Sequence, residues 1–274
     1  MTQPALARQD SALGRVYWSE RGRTDLPSIT NVIGALDKPF LPRWAAKLSA
    51  EYAVENLSML AEVAKSDPKG AAKLIKSAPW ESRDRASERG NGVHDYLEAA
   101  LKGEPLPELT GDAAKHKGGI DAFLAEHEPE ARFVEVTVFS ERYGYAGTFD
   151  FILFFPHLGR DERGQLCIRY GGPGMLILGD LKTSKAIYAS TSLQLAANRF
   201  ADRMELGDGG THPVPEVAAC VVLRTHTRGY ELREVRAEHR DFVAFRAALN
   251  AWHWQKLPKN AIVGDRIPRP TVSA

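Results

Sequence analysis

Residues 175–182, MLILGDLK, place an acid and a base two positions apart at the end of an apolar run. If this run is a β-strand, Asp180 and Lys182 point to the same side of it, about 6.6 Å apart along the strand. An Asp-x-Lys pair alone is most often a solvated ion pair. It therefore becomes informative only if other polar residues are brought to the same place.

Three other features have polar residues where a purely structural sequence would have apolar ones. Asp150 interrupts GTFDFILFF (147–155), which apart from Thr148 is otherwise apolar on both faces, as in a central strand. His94 and Glu98 share one face of a predicted helix, and Gln194 opens the helix that follows DLK. Each has an ordinary explanation by itself, as an edge residue, a core histidine or a helix-capping residue.

Taken together, these residues predict a metal site. Carboxylates from neighbouring central strands, such as Asp150 and Asp180, repel each other in a partly dry site unless a positive charge lies between them. A hard divalent cation such as Mg²⁺ removes this repulsion, because it prefers oxygen ligands. Lys182 would then lie beside a metal-bound water or a phosphate oxygen.

The spacing of apolar residues predicts the elements that position these side chains. A period near 3.6 residues indicates helices at about 28–78, 82–101, 112–127, 190–206 and 238–254. We expect Pro79 to end the first region, Gly103 the second and Gly207 the fourth. A period of two indicates strands at 133–140, 147–155, 175–182, 216–224 and 229–236, with a hairpin within 156–173.

The order of elements predicts the fold class and the domains. Helices, three strands, a helix, two strands and a helix contain an αβββαβ unit, which is typical of an α/β fold with a mixed central sheet flanked by helices. We expect residues 1–80 to form a loose arm (1–26) followed by a helical region, residues 81–256 to form the core, and residues 257–274 to be an extended tail.

Composition excludes some classes of protein. The 274 residues contain 36 Lys and Arg against 35 Asp and Glu, so the chain is not a globally basic nucleic-acid binder, although a locally basic groove remains open. Cys167 and Cys220 match no zinc or iron–sulfur spacing, so we expect no cluster and a reducing, cytoplasmic location. No apolar run approaches the roughly 18 residues of a membrane span, so we expect a soluble protein with no membrane partner.

Four motifs in this order resemble a known family. They are GNGVHDYLE (90–98), GTFD (147–150), DLKTS (180–184) and QLAANRFA (194–201). The set resembles the RecB-type branch of the PD-(D/E)XK nucleases, in particular exonucleases of actinobacterial phages that are related to the CRISPR-associated exonucleases. The motifs cover about residues 82–206, and SITNVIGAL with Trp44 is similar more loosely. The resemblance implies a restriction-endonuclease-like αβββαβ core in residues 81–256.

The resemblance also implies roles for individual residues. His94, Asp150 and Asp180 would bind Mg²⁺ or Mn²⁺, with the backbone carbonyl of Leu181 as a further ligand. Lys182 would position or activate the attacking water, and Gln194 would lie near the nucleophile or the substrate phosphate. Outside this set, Glu98 would orient the helix or a metal-bound water, and Glu135 would contact a second metal or the substrate.

Two departures from the family pattern concern the substrate and the cofactor. The helix after DxK usually carries Q-x-x-x-Y, but Asn198 stands here in place of the tyrosine, which puts the usual substrate contact in doubt. The iron–sulfur cysteines of some relatives are absent.

The sequence thus favours a metal-dependent DNA exonuclease in phage recombination, replication or DNA processing, located in the host cytoplasm. The expected partner is single- or double-stranded DNA, with a homo-oligomer or a phage recombination protein left open. Basic residues around the motifs would hold the substrate: Arg83, Arg85, Arg89, Lys185, Arg199 and Arg203.

Two alternatives remain. A nuclease fold that binds nucleic acid or a partner without catalysis should have lost Asp150, Asp180 or Lys182, and all three are present. A nucleotide-binding α/β enzyme should have a glycine-rich loop that opens a helix, whereas GGPG (171–174) precedes a strand.

Overall fold

The computed structural model describes residues 7–10, 14–18, 25–206 and 210–267. Near the N-terminus, three short strands form an antiparallel sheet: β1 (Ala7–Asp10), β2 (Gly14–Tyr17) and β3 (Leu26–Pro27). The prediction of a loose arm is wrong for these strands, because Ala7, Tyr17 and Leu26 form a small apolar cluster with Phe139 and Ala146. Residues 1–6, 11–13 and 19–24 of that arm lie outside the described residues.

Four helices follow: α1 (Ile29–Gly34), α2 (Phe40–Glu55), α3 (Leu57–Ser66) and α4 (Pro68–Lys102). Asp67 caps α4 by accepting a hydrogen bond from the Gly70 amide at 2.8 Å, and Pro68 occupies the first helical position, where its missing N–H costs nothing. Gly103 ends α4 with φ of 68°, as predicted.

Pro79 does not end a helix, so that prediction is wrong. It lies buried inside α4 next to buried Ala78, and Ser49 of α2 donates to the carbonyl of Ile75, four residues before the proline, at 3.2 Å. Proline inside a helix costs about 3 kcal/mol, and this packing offsets the cost. The predicted domain boundary between residues 80 and 81 consequently falls inside one continuous helix.

The predicted helix at 112–127 is two helices, α5 (Gly111–Ala114) and α6 (Lys117–His127). Between them, buried His116 shares a hydrogen bond with Thr225 Oγ1 at 2.9 Å.

The rest of the described chain builds the central sheet and the helices that cover it. Its elements are β4 (Glu130–Ser140), β5 (Tyr145–Phe155), β6 (Leu158–Arg160), β7 (Leu166–Ile168), β8 (Met175–Lys182), α7 (Ser190–Arg199), β9 (Arg203–Glu205), β10 (Thr211–His212), β11 (Ala219–His226), β12 (Gly229–Glu234) and α8 (His239–Gln255). The seven-stranded sheet has the order β10-β9-β4-β5-β8-β11-β12, and β6 and β7 form the predicted hairpin. Within the sheet, β8 and β11 are parallel and the other neighbouring pairs are antiparallel. The prediction of an α/β fold with a mixed sheet flanked by helices is confirmed.

The two faces of the sheet are covered by different helices. On one face, Leu178 belongs to an apolar cluster with Leu195 of α7 and Phe245 of α8. On the other face, Leu181 belongs to a cluster with Val93 of α4 and Phe123 of α6. Successive residues of β8 therefore alternate between the side of α7 and the side of α4.

The predicted helix at 190–206 is too long. α7 ends at Arg199, and residues 203–205 form β9, which pairs with β4. Strand pairing wins here because Met204 is buried and Arg203 forms ion pairs with Glu141 and Glu205. Gly207, the expected helix stop, lies outside the described residues.

After α8 the chain contains a short 3₁₀ helix, Lys259–Ala261, within the segment predicted to be extended, and 268–274 lie outside the described residues. In the described part of the chain, no helix combines the length and the apolar character needed to cross a bilayer.

Candidate metal site

Three elements bring His94, Glu135 and Asp150 together, from α4, β4 and β5. One ligand atom from each lies within 4.8 Å of the other two. The Nδ1 atom of His94 is 3.5 Å from Asp150 Oδ2 and 3.8 Å from Glu135 Oε1, and all three side chains are largely buried. One imidazole and two carboxylates form a donor set suited to a divalent cation.

The register of β4 and β5 explains why Glu135 is in this cluster. Val134 pairs with Phe151 and Val136 with Phe149, so Glu135 lies across from Asp150. Glu135 has φ of 53°, in the left-handed region that L-residues rarely adopt. From the sequence, the expected role of Glu135 is contact with a second metal or with the substrate. The signal that could have found it is an acid between two valines on the strand that precedes Asp150.

Asp180, Lys182 and Gln194 form a second, adjoining group. Lys182 Nζ lies 2.6 Å from Asp180 Oδ2, and Gln194 Nε2 donates to Asp180 Oδ1 at 2.7 Å. Lys182 also donates to Gln194 Oε1 at 3.4 Å. The expectation that the acid and the base lie on the same side of β8 is therefore confirmed, and Gln194 of α7 holds both of them.

The two groups meet through β8. The backbone N–H of Leu181 donates to Asp150 Oδ2 at 2.6 Å, which ties the His94 cluster to the residue between Asp180 and Lys182. Asp180 itself is not part of the three-residue cluster, and its side chain contacts Lys182 and Gln194 of α7 instead. The expected role of the Leu181 carbonyl as a metal ligand stays a prediction.

The charges in this region favour an additional cation. Burial alone would lower the pKa of His94, but Asp150 and Glu135 outweigh it and raise that pKa to about 9. Burial raises the pKa of Asp150, and the negative charge of Glu135 adds to the effect. Burial also raises the pKa of Asp180, against the influence of Lys182. A proton on His94 thus partly balances three carboxylates, and a divalent cation can take over that role.

The residues present fit a bound metal ion. Asp180 Oδ2 is buried and, among the described residues, has no partner of hydrogen-bond geometry beyond its ion pair with Lys182. Burial would lower the pKa of Lys182, but Asp180 and Asp150 raise it, so this side chain stays a cation.

Two further residues predicted from the sequence, Glu98 and Asn198, differ in their surroundings. Glu98 lines the same small cleft as His94, Glu135 and Asp150, and it forms an ion pair with Lys102 at 2.6 Å. Asn198 follows Gln194 by one helical turn and is buried, and its Oδ1 has no hydrogen-bond partner in the described part of the chain.

Two of the predicted substrate-binding cations have structural contacts instead. Arg199 donates to the backbone carbonyls of Val217 and Ala237 at 3.0 and 3.3 Å. Arg203 is buried in its ion pairs with Glu141 and Glu205.

A scan against models of known protein families and a search of curated proteins each find no match to this chain.

Proposed function

We propose that this protein is a metal-dependent DNA exonuclease that hydrolyses phosphodiester bonds. The observation that carries the proposal is the contact between two groups: the Asp180–Lys182 pair at the end of a central strand, and the His94–Glu135–Asp150 cluster beside it. Phosphodiester hydrolysis needs an activated water and neutralisation of the charge on the phosphoryl oxygens, which a divalent cation in this cluster and the neighbouring Lys182 would supply together. The restriction-endonuclease-like identity of the core is part of this proposal.

The metal in this proposal is Mg²⁺ or Mn²⁺, held by His94, Glu135 and Asp150 with Asp180 and the Leu181 carbonyl at its edge. Such an ion supplies a Lewis acid and a water of lowered pKa. An iron–sulfur cluster has no part in this proposal.

The protein side chains hold the charges that the reaction needs. Lys182 places a fixed cation where negative charge develops on the phosphoryl oxygens, and a preorganised charge of this kind is most effective in a partly buried site. Gln194 fixes the orientation of Asp180 through a 2.7 Å hydrogen bond and is in contact with Lys182. Any displacement of Gln194 would therefore disturb both.

The proposed setting follows from the resemblance. We place the activity in phage recombination, replication or DNA processing in the host cytoplasm, with DNA as the partner. A second copy of the chain or a phage recombination protein is a further partner that the proposal allows.

The test is degradation of end-labelled single- and double-stranded DNA with Mg²⁺ or Mn²⁺. We expect the wild type to degrade at least one substrate and EDTA to abolish this. Asp180→Ala and Lys182→Ala should each reduce the rate by about a hundredfold or more. The matched controls are Asp112→Ala and Lys115→Ala, because these residues form an exposed ion pair of the same 2.6 Å length away from the site.

The outcomes separate the hypotheses. Unchanged degradation by both site variants would overturn the assignment of the site. A wild type that degrades no substrate but binds DNA would favour a nuclease fold without catalysis.

A further inference from the structure

The face of α4 that carries His94 also carries a row of exposed side chains over about five turns nearer the start of the helix. Side chains spaced alternately four and three residues apart lie on one side of a helix. On the side of α4 that includes position 94, this spacing gives positions 69, 73, 76, 80, 83 and 87. These six are Lys69, Lys73, Lys76, Trp80, Arg83 and Ser87, and all are exposed. At 1.5 Å per residue, Lys76 lies up to about 27 Å along the helix from His94, and Arg83 up to about 16 Å.

The three lysines on this face are not neutralised. Among the described residues, none of Lys69, Lys73 and Lys76 has an ion-pair partner within 4 Å. Of the nearby acids, Asp67 caps the helix and Glu81 accepts a hydrogen bond from Ser77. Asp84 forms an ion pair with Arg83 at 2.8 Å, so the unpaired positive charge on this face is that of the three lysines. The face therefore has a local positive charge in a chain whose net charge is only +1.

Aromatic rings accompany these cations. Trp80 is 55% exposed, and the Arg83 guanidinium lies 5.0 Å from its ring centre. In the segment that follows β8, Tyr188 stacks on Phe40 of α2 with parallel rings, and both rings are about half exposed. Exposed aromatic faces between cations suit unpaired bases, because bases stack on such rings whereas a duplex hides its base faces.

The face leads towards the end of β8. A Cβ atom placed on Gly90, between Arg83 and His94, would lie 3.7 Å from Thr183 Oγ1, and Thr183 directly follows Lys182. A polymer lying on α4 would therefore reach the end of β8 by following one helix.

We propose that the lysine track, defined as Lys69, Lys73, Lys76, Trp80 and Arg83 on α4, binds one single strand of DNA and leads it to the candidate metal site. Lys69, Lys73 and Lys76 bind phosphates, and Trp80 stacks with a base. This inference rests on the proposed function and adds the form of the substrate and its path.

The first test measures binding without catalysis. A fluorescent oligothymidine is titrated with protein in EDTA at several salt concentrations, and anisotropy is recorded. The triple variant Lys69→Gln, Lys73→Gln, Lys76→Gln should bind at least about tenfold more weakly. Its plot of log affinity against log salt should be shallower by about 2, because each phosphate contact on a single strand contributes about 0.7.

The control removes the same charge elsewhere. The control is the triple variant Lys65→Gln, Lys115→Gln, Lys117→Gln. It changes three exposed lysines, each of which forms an ion pair with an acid three or four residues away in the chain. It should bind like the wild type, within about twofold. Equal affinity and salt slope for the track variant, or no binding of oligothymidine by the wild type, would overturn the proposal.

Trp80 provides a test that does not change charge. Trp80→Ala should weaken oligothymidine binding by about tenfold through lost stacking, whereas Trp254→Ala, at a ring that is 60% exposed on α8, should not. A larger loss on blunt duplex DNA than on oligothymidine for the lysine variant would overturn the single-strand assignment.

A cleavage assay with two lengths of substrate distinguishes failure of this inference from failure of the proposed function. A thymidine dinucleotide is too short to contact the track, so the lysine variant should cleave it at the wild-type rate and cleave long oligothymidine more slowly. A wild type that cleaves neither substrate would contradict the proposed hydrolysis, while the anisotropy measurements would still decide whether the track binds DNA.

Discussion

Glu135 has a backbone conformation that glutamate rarely adopts, with φ of 53° inside β4. Pairing with β5 on both sides of this residue imposes the conformation, and the side chain lies beside His94 and Asp150. The left-handed region costs an L-residue about 1–2 kcal/mol, a cost that glycine avoids. Strain at a polar residue next to a second carboxylate is typical of a side chain positioned for binding.

Two substitutions at Glu135 separate backbone strain from the loss of the carboxylate. Both Glu135→Gly and Glu135→Ala remove the carboxylate, but glycine accepts the positive φ. We expect the glycine variant to have a free energy of unfolding about 1 kcal/mol higher than that of the alanine variant, measured by urea denaturation.

The same pair of variants tests metal binding. Mn²⁺ should raise the thermal midpoint of the wild type, because a ligand of the folded state stabilises it, and should raise it much less in either variant. An alanine variant as stable as the glycine variant would contradict the role of strain. An undiminished Mn²⁺ effect in both would remove Glu135 from the site.

Among the elements, β8 depends on a glycine to place its acid and base. Gly179 pairs with Phe151 across the sheet, and a Cβ atom at Gly179 would lie 1.8 Å from Cε2 of that ring. Glycine therefore lets Phe151 cover the strand directly beside Asp180. The glycine within MLILGDLK thus has a packing reason.

We expect Gly179→Ala to lower the free energy of unfolding by about 1–3 kcal/mol, since the ring or the strand must move. Gly34→Ala, where no atom lies within 4 Å of the added Cβ, is the matched control and should be close to neutral. Urea denaturation of both variants measures the difference. Equal stability of the two would show that the sheet accommodates the methyl group.

At the start of α8, Glu238 and Asp241 form a capping box, and Arg236 donates to both carboxylate oxygens of Asp241. The hydrogen bond from Arg236 is the main reason why the pKa of Asp241 falls from 3.8 to about 2. A carboxyl whose pKa is lower in the folded state stabilises the fold above its unfolded pKa and loses that contribution as the pH falls through its folded pKa.

We therefore expect Asp241→Asn to be about 1–2 kcal/mol less stable than the wild type at neutral pH. The difference should shrink as the pH falls from about 4 to about 2, because the wild-type carboxyl becomes protonated. Thermal unfolding across this pH range measures it. Asp112→Asn, at an exposed carboxyl, should show a much smaller change. A difference that stays constant down to pH about 2 would contradict the assignment to Asp241.

Across the whole molecule, α4 connects two differently packed parts. Its C-terminal half contributes Val93, Tyr96 and Leu97 to the core against the sheet. In its N-terminal half, the carbonyl of Ile75 accepts a hydrogen bond from Ser49 of α2, and α2 has no buried residue. The site lies on the well-packed part, whereas the lysine track extends over the more exposed one.

Hydrogen exchange followed by mass spectrometry should show this difference. We expect amides in α2, residues 40–55, to exchange much faster than those in β5, residues 145–155, because local opening of α2 exposes little buried apolar surface. Comparable protection of α2 and β5 would contradict this prediction.

Local spacing in the sequence was sufficient for the elements that carry the site. The strand at 175–182, the helix end at Gly103 and the shared side of Asp180 and Lys182 all depend on residues close in the chain, and the structure confirms them. The spacing of apolar residues predicted the wrong secondary structure where packing between distant segments outweighs local preference, as at Pro79 and in β9.

The sequence by itself determined which residues have the chemistry and on which side of their own element each one projects. Only the tertiary structure decided which of them meet, because the register of β4 on β5 brings Glu135 to His94 and the alternation of β8 turns Asp180 towards Gln194. Likewise, only packing shows that the lysines of α4 stay exposed and unpaired on the face that carries His94. Contacts of this kind depend on segments far apart in the chain, so the spacing within one segment does not determine them.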